Sequence, residues 1–152
     1  MTHSSAPDSG TETRQIEIHE ALALLRSVPV GRLAVVVDDA PDIFPVNHMV
    51  DQGTIVFRTA AGTKLSAADG RQVAFEVDGY DVAAGEAWSV VAHGIGRVVY
   101  DTDEAIEALG LPIFPWQSGA KPQVVRLTPV TITGRRFRVS GGFRDQATTA
   151  TT

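Results

Sequence analysis

Between Ile16 and Val139 the chain alternates short apolar runs with breaks of Gly, Pro and Asp, while both ends lack a hydrophobic period. The first period is helical. Ile18, Leu22 and Leu25 fall at i, i+4 and i+7, predicting a short helix over His19–Ser27 that the Pro29–Gly31 region ends. The period then changes to two. Leu33–Val37 is a strand stopped by Asp38, Asp39 and Pro41, and Ile43–Val50 reads as its antiparallel partner. A turn at Asp51-Gln52-Gly53 leads to Thr54–Arg58, with Ile55 and Phe57 on one face and Val56 and Arg58 on the other. Gly62 interrupts the pattern, and Thr63–Ala68 reads as a helical turn. Val73–Val77 is a further strand and Trp88–Tyr100 a long one, in which Gly94 and Gly96 mark a bulge or bend. A second helix is predicted over Asp103–Leu109. A Pro- and Gly-rich loop, 110–122, carries Phe114 and Trp116, and Gln123–Leu127 and Thr131–Val139 complete the strands.

Two short helices among six or seven antiparallel strands define a mainly β chain, a barrel with helical additions. Its 152 residues suit one domain, placed at residues 15–139. Residues 1–14 and 140–152 are rich in small polar residues, and are expected to be a disordered leader and tail.

Composition narrows the chemistry. With no cysteine, disulfides, thiolate metal sites and cysteine nucleophiles are excluded, which suits a reducing cytoplasm. No apolar run approaches the roughly 20 residues of a membrane helix, and the polar first ten residues do not resemble a signal peptide. The formal net charge of −5 disfavours nucleic acid. Arg135, Arg136 and Arg138 form the one dense basic cluster and read as a solvated strand face. The four histidines show no metal-ligand spacing, no paired carboxylates stand out, and no Gly-x-Ser-x-Gly elbow is present. His48 reads as a surface or satisfied core residue.

The most informative segment is Phe57-Arg58-Thr59-Ala60-Ala61-Gly62-Thr63-Lys64-Leu65. Arg58 ends a strand, small residues follow, Gly62 permits positive φ, and Thr63 and Lys64 open a helical turn. Backbone N–H groups at such a turn suit an anion. Arg58 adds a planar fork, Lys64 a point charge, and Thr59 and Thr63 hydroxyl donors. Charge-assisted hydrogen bonds contribute roughly 1.5–3 kcal/mol each, so two or three would fix a phosphate. Gly94-Ile95-Gly96 is a poor dinucleotide fingerprint, because it lies within a strand and Val99 stands where a third glycine belongs.

The segments Val30-Gly31-Arg32-Leu33-Ala34, Asp42-Ile43-Phe44-Pro45-Val46-Asn47-His48 and Phe57 to Leu65 together resemble the pyridoxamine 5′-phosphate oxidase-like family. The likeness continues through Val73–Asp78, Trp88–Val91, Pro115-Trp116, Lys121-Pro122 and Ile132–Arg136, covering nearly all of Ile16–Arg136. It implies a flavin-binding split β-barrel and a homodimer holding FMN at its interface. Arg58, Thr59, Thr63 and Lys64 would hold the flavin phosphate, Pro45, Val46 and Asn47 would line the ring through backbone groups, and Trp88 and Trp116 would be candidate walls, contributed by the same subunit or by its partner. Both tryptophans equally suit a core or dimer-interface role. The chain departs from true pyridoxamine phosphate oxidases after Gly134, where Arg135-Arg136-Phe137-Arg138-Val139 lacks the family's His-containing basic motif.

The leading expectation is an FMN-dependent oxidoreductase acting on a small molecule, with no catalytic side chain identified. The alternatives are a flavin storage or sensing protein, or a split barrel using the deazaflavin F420 or haem.

Overall fold

The computed structural model describes residues 13–60, 62–100, 104 and 123–139. Its elements, in chain order, are β1 (Thr13–Gln15), α1 (Ile18–Ser27), β2 (Val30–Val37), β3 (Ala40–Asp51), β4 (Thr54–Thr59), α2 (Thr63–Ala68), β5 (Gln72–Asp81), β6 (Glu86–Val98) and β7 (Gln123–Arg138). The strands form one antiparallel sheet in the order β1-β7-β4-β3-β2-β5-β6, and β6 pairs back onto β7 to close a barrel. Among the described residues, no helix is long and apolar enough to cross a membrane.

Period-two alternation explains the core. Leu33 and Val35 of β2, Val46 of β3, Ile55 and Phe57 of β4, Phe75 and Val77 of β5, Val90 and Ala92 of β6, and Val125 and Leu127 of β7 are all buried in one cluster. A pleated strand directs these alternate side chains to one side, and closure makes that side the interior. Two-residue turns join the first hairpins: Asp38-Asp39 links β2 to β3 and Gln52-Gly53 links β3 to β4, with positive φ at all four positions. Positive φ at both central residues matches the twist of the flanking strands.

Four boundaries differ from expectation. Thr13 and Arg14, assigned to the leader, pair with Phe137 and Arg136 as an edge strand. All three β1 residues are exposed, so backbone pairing rather than apolar burial holds them, and no hydrophobic period marks them. Pro41 lies inside β3, opposite Val36 on its neighbour, instead of ending a strand. The two last predicted strands are one, β7, because Pro129 falls opposite Gly94 where the register shifts after His93. The glycine-marked irregularity in β6 is therefore real, and it accommodates the proline. Finally, the buried face of α1 is centred on Ala21 and Leu25, while Ile18 is 60% exposed at the helix start. The predicted helix at Asp103–Leu109 and the loop at 110–122 with Phe114 and Trp116 lie outside the described residues, apart from Glu104, which is helical. The tail from 140 and residues 1–12 lie outside them too.

Candidate functional site: a gap between two strands

The β3–β4 pairing runs from Asp51↔Thr54 to His48↔Phe57. Beyond that pair the strands take different partners. From Asn47 back to Ala40, β3 follows β2, whereas Arg58 and Thr59 of β4 pair with Val124 and Gln123 of β7. The barrel is split here, with Asn47 on one bank and Arg58 on the other. On the β4 side, the edge of Phe44–Asn47 has no registered strand partner among the described residues. Backbone N–H and C=O groups along such an edge can meet a planar ligand carrying its own donors and acceptors.

Alternation decides which side chains face this gap. Val46 and His48 are buried inside the barrel, while Pro45 is exposed and Asn47 half-buried on the other face. Val46 can thus line a ligand only through its backbone. Across the gap, Arg58 is half-buried beside a small apolar patch of Val56, Val99 and Val124 with Met49 against it. Its neighbour Thr59 points inward and is buried, its hydroxyl donating weakly to the Ala60 carbonyl at 3.4 Å. The hydroxyl of Thr59 therefore belongs to the barrel interior, not to the face that Arg58 presents.

The turn that follows uses glycine for its conformation. Gly62 has φ +152° and open space where a side chain would project, so backbone strain, not crowding, favours glycine. The amide of Ser66 makes the first helical bond, donating to Gly62 O at 3.1 Å. The amides of Thr63, Lys64 and Leu65 thus precede the ladder. Thr63 is exposed and Lys64 half-buried. The Lys64 ammonium sits 5.0 Å above the Phe44 ring centroid, and burial pushes its pKa below the ordinary lysine value.

The turn is tied down from behind. Gly70 N–H donates to Gly96 O at 2.8 Å, Gly96 N–H to Arg71 O at 3.0 Å, and Val98 N–H to Asp69 Oδ1 at 2.9 Å. A Cβ on Gly96 would strike the Ala68 carbonyl. The Gly94-x-Gly96 pair therefore has a structural meaning. Gly94 meets the β7 backbone at the bulge, and Gly96 lets α2 dock. Arg126 anchors the β3–β4 hairpin itself, donating to Asp51 Oδ2 at 3.0 Å, Thr54 Oγ1 at 2.7 Å and Glu104 Oε1 at 3.1 Å.

Within one chain, Trp88 is not brought to the gap. Trp88 packs in the barrel core against Gly79 and pairs with Arg136, near the opposite end of β7 from Gln123. Trp116 lies outside the described residues. His48 is a core residue: it is 5% exposed, its Nε2 lies 2.7 Å from Leu25 O, its Nδ1 is buried without a hydrogen-bond partner among the described residues, and its ring meets Phe75 edge-on. No cluster of potential metal ligands occurs among the described residues. Sequence reasoning missed Phe44 and the Asp69–Gly96 clamp. The Gly-x-Gly spacing was the available signal for the clamp, and nothing in the sequence marked the ring beneath Lys64.

A closed six-strand ring with an extra edge strand, opened between β3 and β4 and flanked there by cations, defines the split-barrel class. The chain belongs to the pyridoxamine 5′-phosphate oxidase family, whose profile matches residues 17–136. It is similar to the FAD binding protein of Mycobacterium smegmatis, with 43% identity, a TM-score of 0.74, and coverage of 84% of this chain and 100% of that one. A Corynebacterium glutamicum structure provisionally named pyridoxamine 5′-phosphate oxidase is 40% identical, with a TM-score of 0.76 and coverage of 84% and 100%. An uncharacterized Mycobacterium tuberculosis protein is 34% identical over 88% of this chain and 91% of its own length.

Proposed function

We propose that the chain binds a flavin in the β3–β4 gap and uses it for oxidation or reduction of a small molecule, as a cytoplasmic homodimer. The observation that carries this reading is the ladder split between Asn47 and Arg58, with Arg58 and Lys64 at its phosphate end. The donor set fits the group. Arg58, the amides after Gly62 and the Lys64 ammonium would hold a phosphate, and the Pro45–Asn47 edge would meet the ring. The exposed Thr63 hydroxyl would add a donor.

A bound flavin supplies reversible hydride and electron chemistry, while the chain supplies position, charge and exclusion of water. FMN is the primary candidate. FAD is the second, supported by the FAD-binding relative at 43% identity, and the turn serves either because both carry the same first phosphate. Ile43 and Val36, 64% and 57% exposed on the outer side of β3 and β2, support the pairing of two chains. Vitamin B6 oxidation is not proposed, because β7 carries Arg135, Arg136 and Arg138 without a histidine among them.

The visible spectrum of the purified protein, followed by titration with FMN and FAD, tests the reading. Bound flavin or saturable binding is expected. A colourless protein indifferent to both flavins overturns it, and a haem or deazaflavin spectrum would assign those cofactors instead. Anaerobic reduction by a nicotinamide nucleotide, then reoxidation by acceptors, separates an enzyme from a flavin store.

A further inference from the structure

We propose that Phe44 is a positioning residue that holds Lys64 at the gap with its positive charge unneutralised, ready for an anionic group. The proposal rests on the flavin reading for the identity of that group.

The structure treats most of its other described cations in two ways. Arg14, Arg32, Arg97, Arg126 and Arg136 each lie within ion-pair distance of a carboxylate. Each of these charges is already balanced. Arg26, Arg71, Arg135 and Arg138 are exposed to solvent without an ion pair among the described residues, whereas Lys64 is half-buried and its partner there is an aromatic ring, 5.0 Å from the ammonium. A ring attracts a cation through its quadrupole but carries no net charge, so the field of the ammonium survives the contact. A carboxylate in the same place would fix Lys64 equally well and would repel a phosphate.

The placement of Phe44 suits the task. It precedes Pro45 on the stretch of β3 that has no β4 partner, pairs with Leu33 of β2, and its half-buried ring packs against the core. The ring is therefore held from the interior. A free lysine has four rotatable bonds and loses much rotamer freedom on binding an anion. Contact with a fixed ring restricts that freedom in advance, and partial burial leaves the charge less solvated and more responsive to an arriving anion.

The probes are FMN and riboflavin, which share a ring and differ in the phosphate, titrated against the full chain by flavin fluorescence. Phe44→Leu should raise the Kd for FMN about fivefold, the scale of one partly desolvated cation–π contact. Phe44→Tyr, which keeps a ring, should stay within about twofold. Riboflavin affinity should be unchanged in both variants. With Lys64→Met already present, Phe44→Leu should have no further effect on FMN. The inference is overturned if Phe44→Leu leaves FMN affinity unchanged while Lys64→Met weakens it. It is overturned equally if Phe44→Leu weakens riboflavin as much as FMN, which marks a packing role. Should Phe44→Leu fail to fold, Phe44→Met, whose unbranched side chain adapts to the space without a ring, replaces it in every arm. The underlying flavin reading fails separately, by the wild-type chain ignoring both probes.

Discussion

The two helices sit against the same barrel and solve opposite problems. At α1 the inner face is sealed. Leu25 is fully buried, its carbonyl is bonded by His48, and His48 in turn packs on Phe75. At α2 the helix has only six residues, opens on an exposed Gly62 and Thr63, and carries a cation whose partner is a ring. The first arrangement maximises burial and tolerates no stranger. The second leaves amides and charge facing a gap, and is secured from its far side by Asp69 and Gly96. Stability and recognition are thus assigned to different elements, which allows each to be broken alone.

The largest expected effect is at α1. Leu25→Ala should lower unfolding free energy by about 2–5 kcal/mol, as large-to-small changes in packed cores do. Urea denaturation measures it, and a loss below about 1 kcal/mol would mean that α1 is not part of the core. Flavin affinity of the folded fraction should be preserved.

Arg58→Ala should act in the opposite sense, weakening FMN by roughly 10- to 150-fold, the equivalent of about 1.5–3 kcal/mol for one charge-assisted contact. Its cost in stability should be smaller than that of Leu25→Ala. Unchanged affinity in a titration would place the phosphate elsewhere.

The sealed end should also be acid-sensitive. Burial holds the His48 imidazole below its ordinary value of 6.5, so the folded chain binds fewer protons than the unfolded one. Its contribution is present above about pH 6.5 and is lost as pH falls through the folded pKa, at up to about 1.4 kcal/mol per pH unit. Glu20 is held below its ordinary 4.5, chiefly by a hydrogen bond from Arg14 and then one from Arg136, so its own window lies lower. Denaturation midpoints between neutral pH and the Glu20 window should therefore fall for the wild type and stay flatter for His48→Gln. Parallel curves would contradict the assignment.

The smallest effect lies in the hairpin turns. Asp38 and Asp39 have φ of 49° and 62°, a region that costs a non-glycine residue free energy. Asp39→Gly should stabilise by about 0.5–1 kcal/mol, since Asp-Gly is a preferred pair for this turn. A melting temperature that does not rise would show that the aspartates make compensating contacts.

Much of the α2 side was legible in the sequence. Arg58 at a strand end, the small residues, Gly62 and Lys64 announced a turn suited to an anion, because each of those needs is local. The strand alternation in Thr54–Arg58 also predicted the opposite faces of Phe57 and Arg58. The direction of Thr59 follows from the same period-two rule once the strand is known to run through it. The core position of Trp88 and the exposure of Ile18 were not legible, because burial depends on which neighbour arrives from elsewhere in the chain. Thr13 and Arg14 carried no apolar signal, since an edge strand can be held by its backbone alone.

The sequence by itself determined the mainly β class, the positions of most strands along the chain, the bulge at the β6 glycines and the cationic turn. These follow from period, turn chemistry and side-chain type within short windows. Only the tertiary structure decided that β3 and β4 part company after His48 and Phe57, that Gly96 makes room for Ala68, and that Phe44 lies beneath Lys64. Each depends on which segments meet across the barrel, and that is set by barrel closure, which no local pattern encodes.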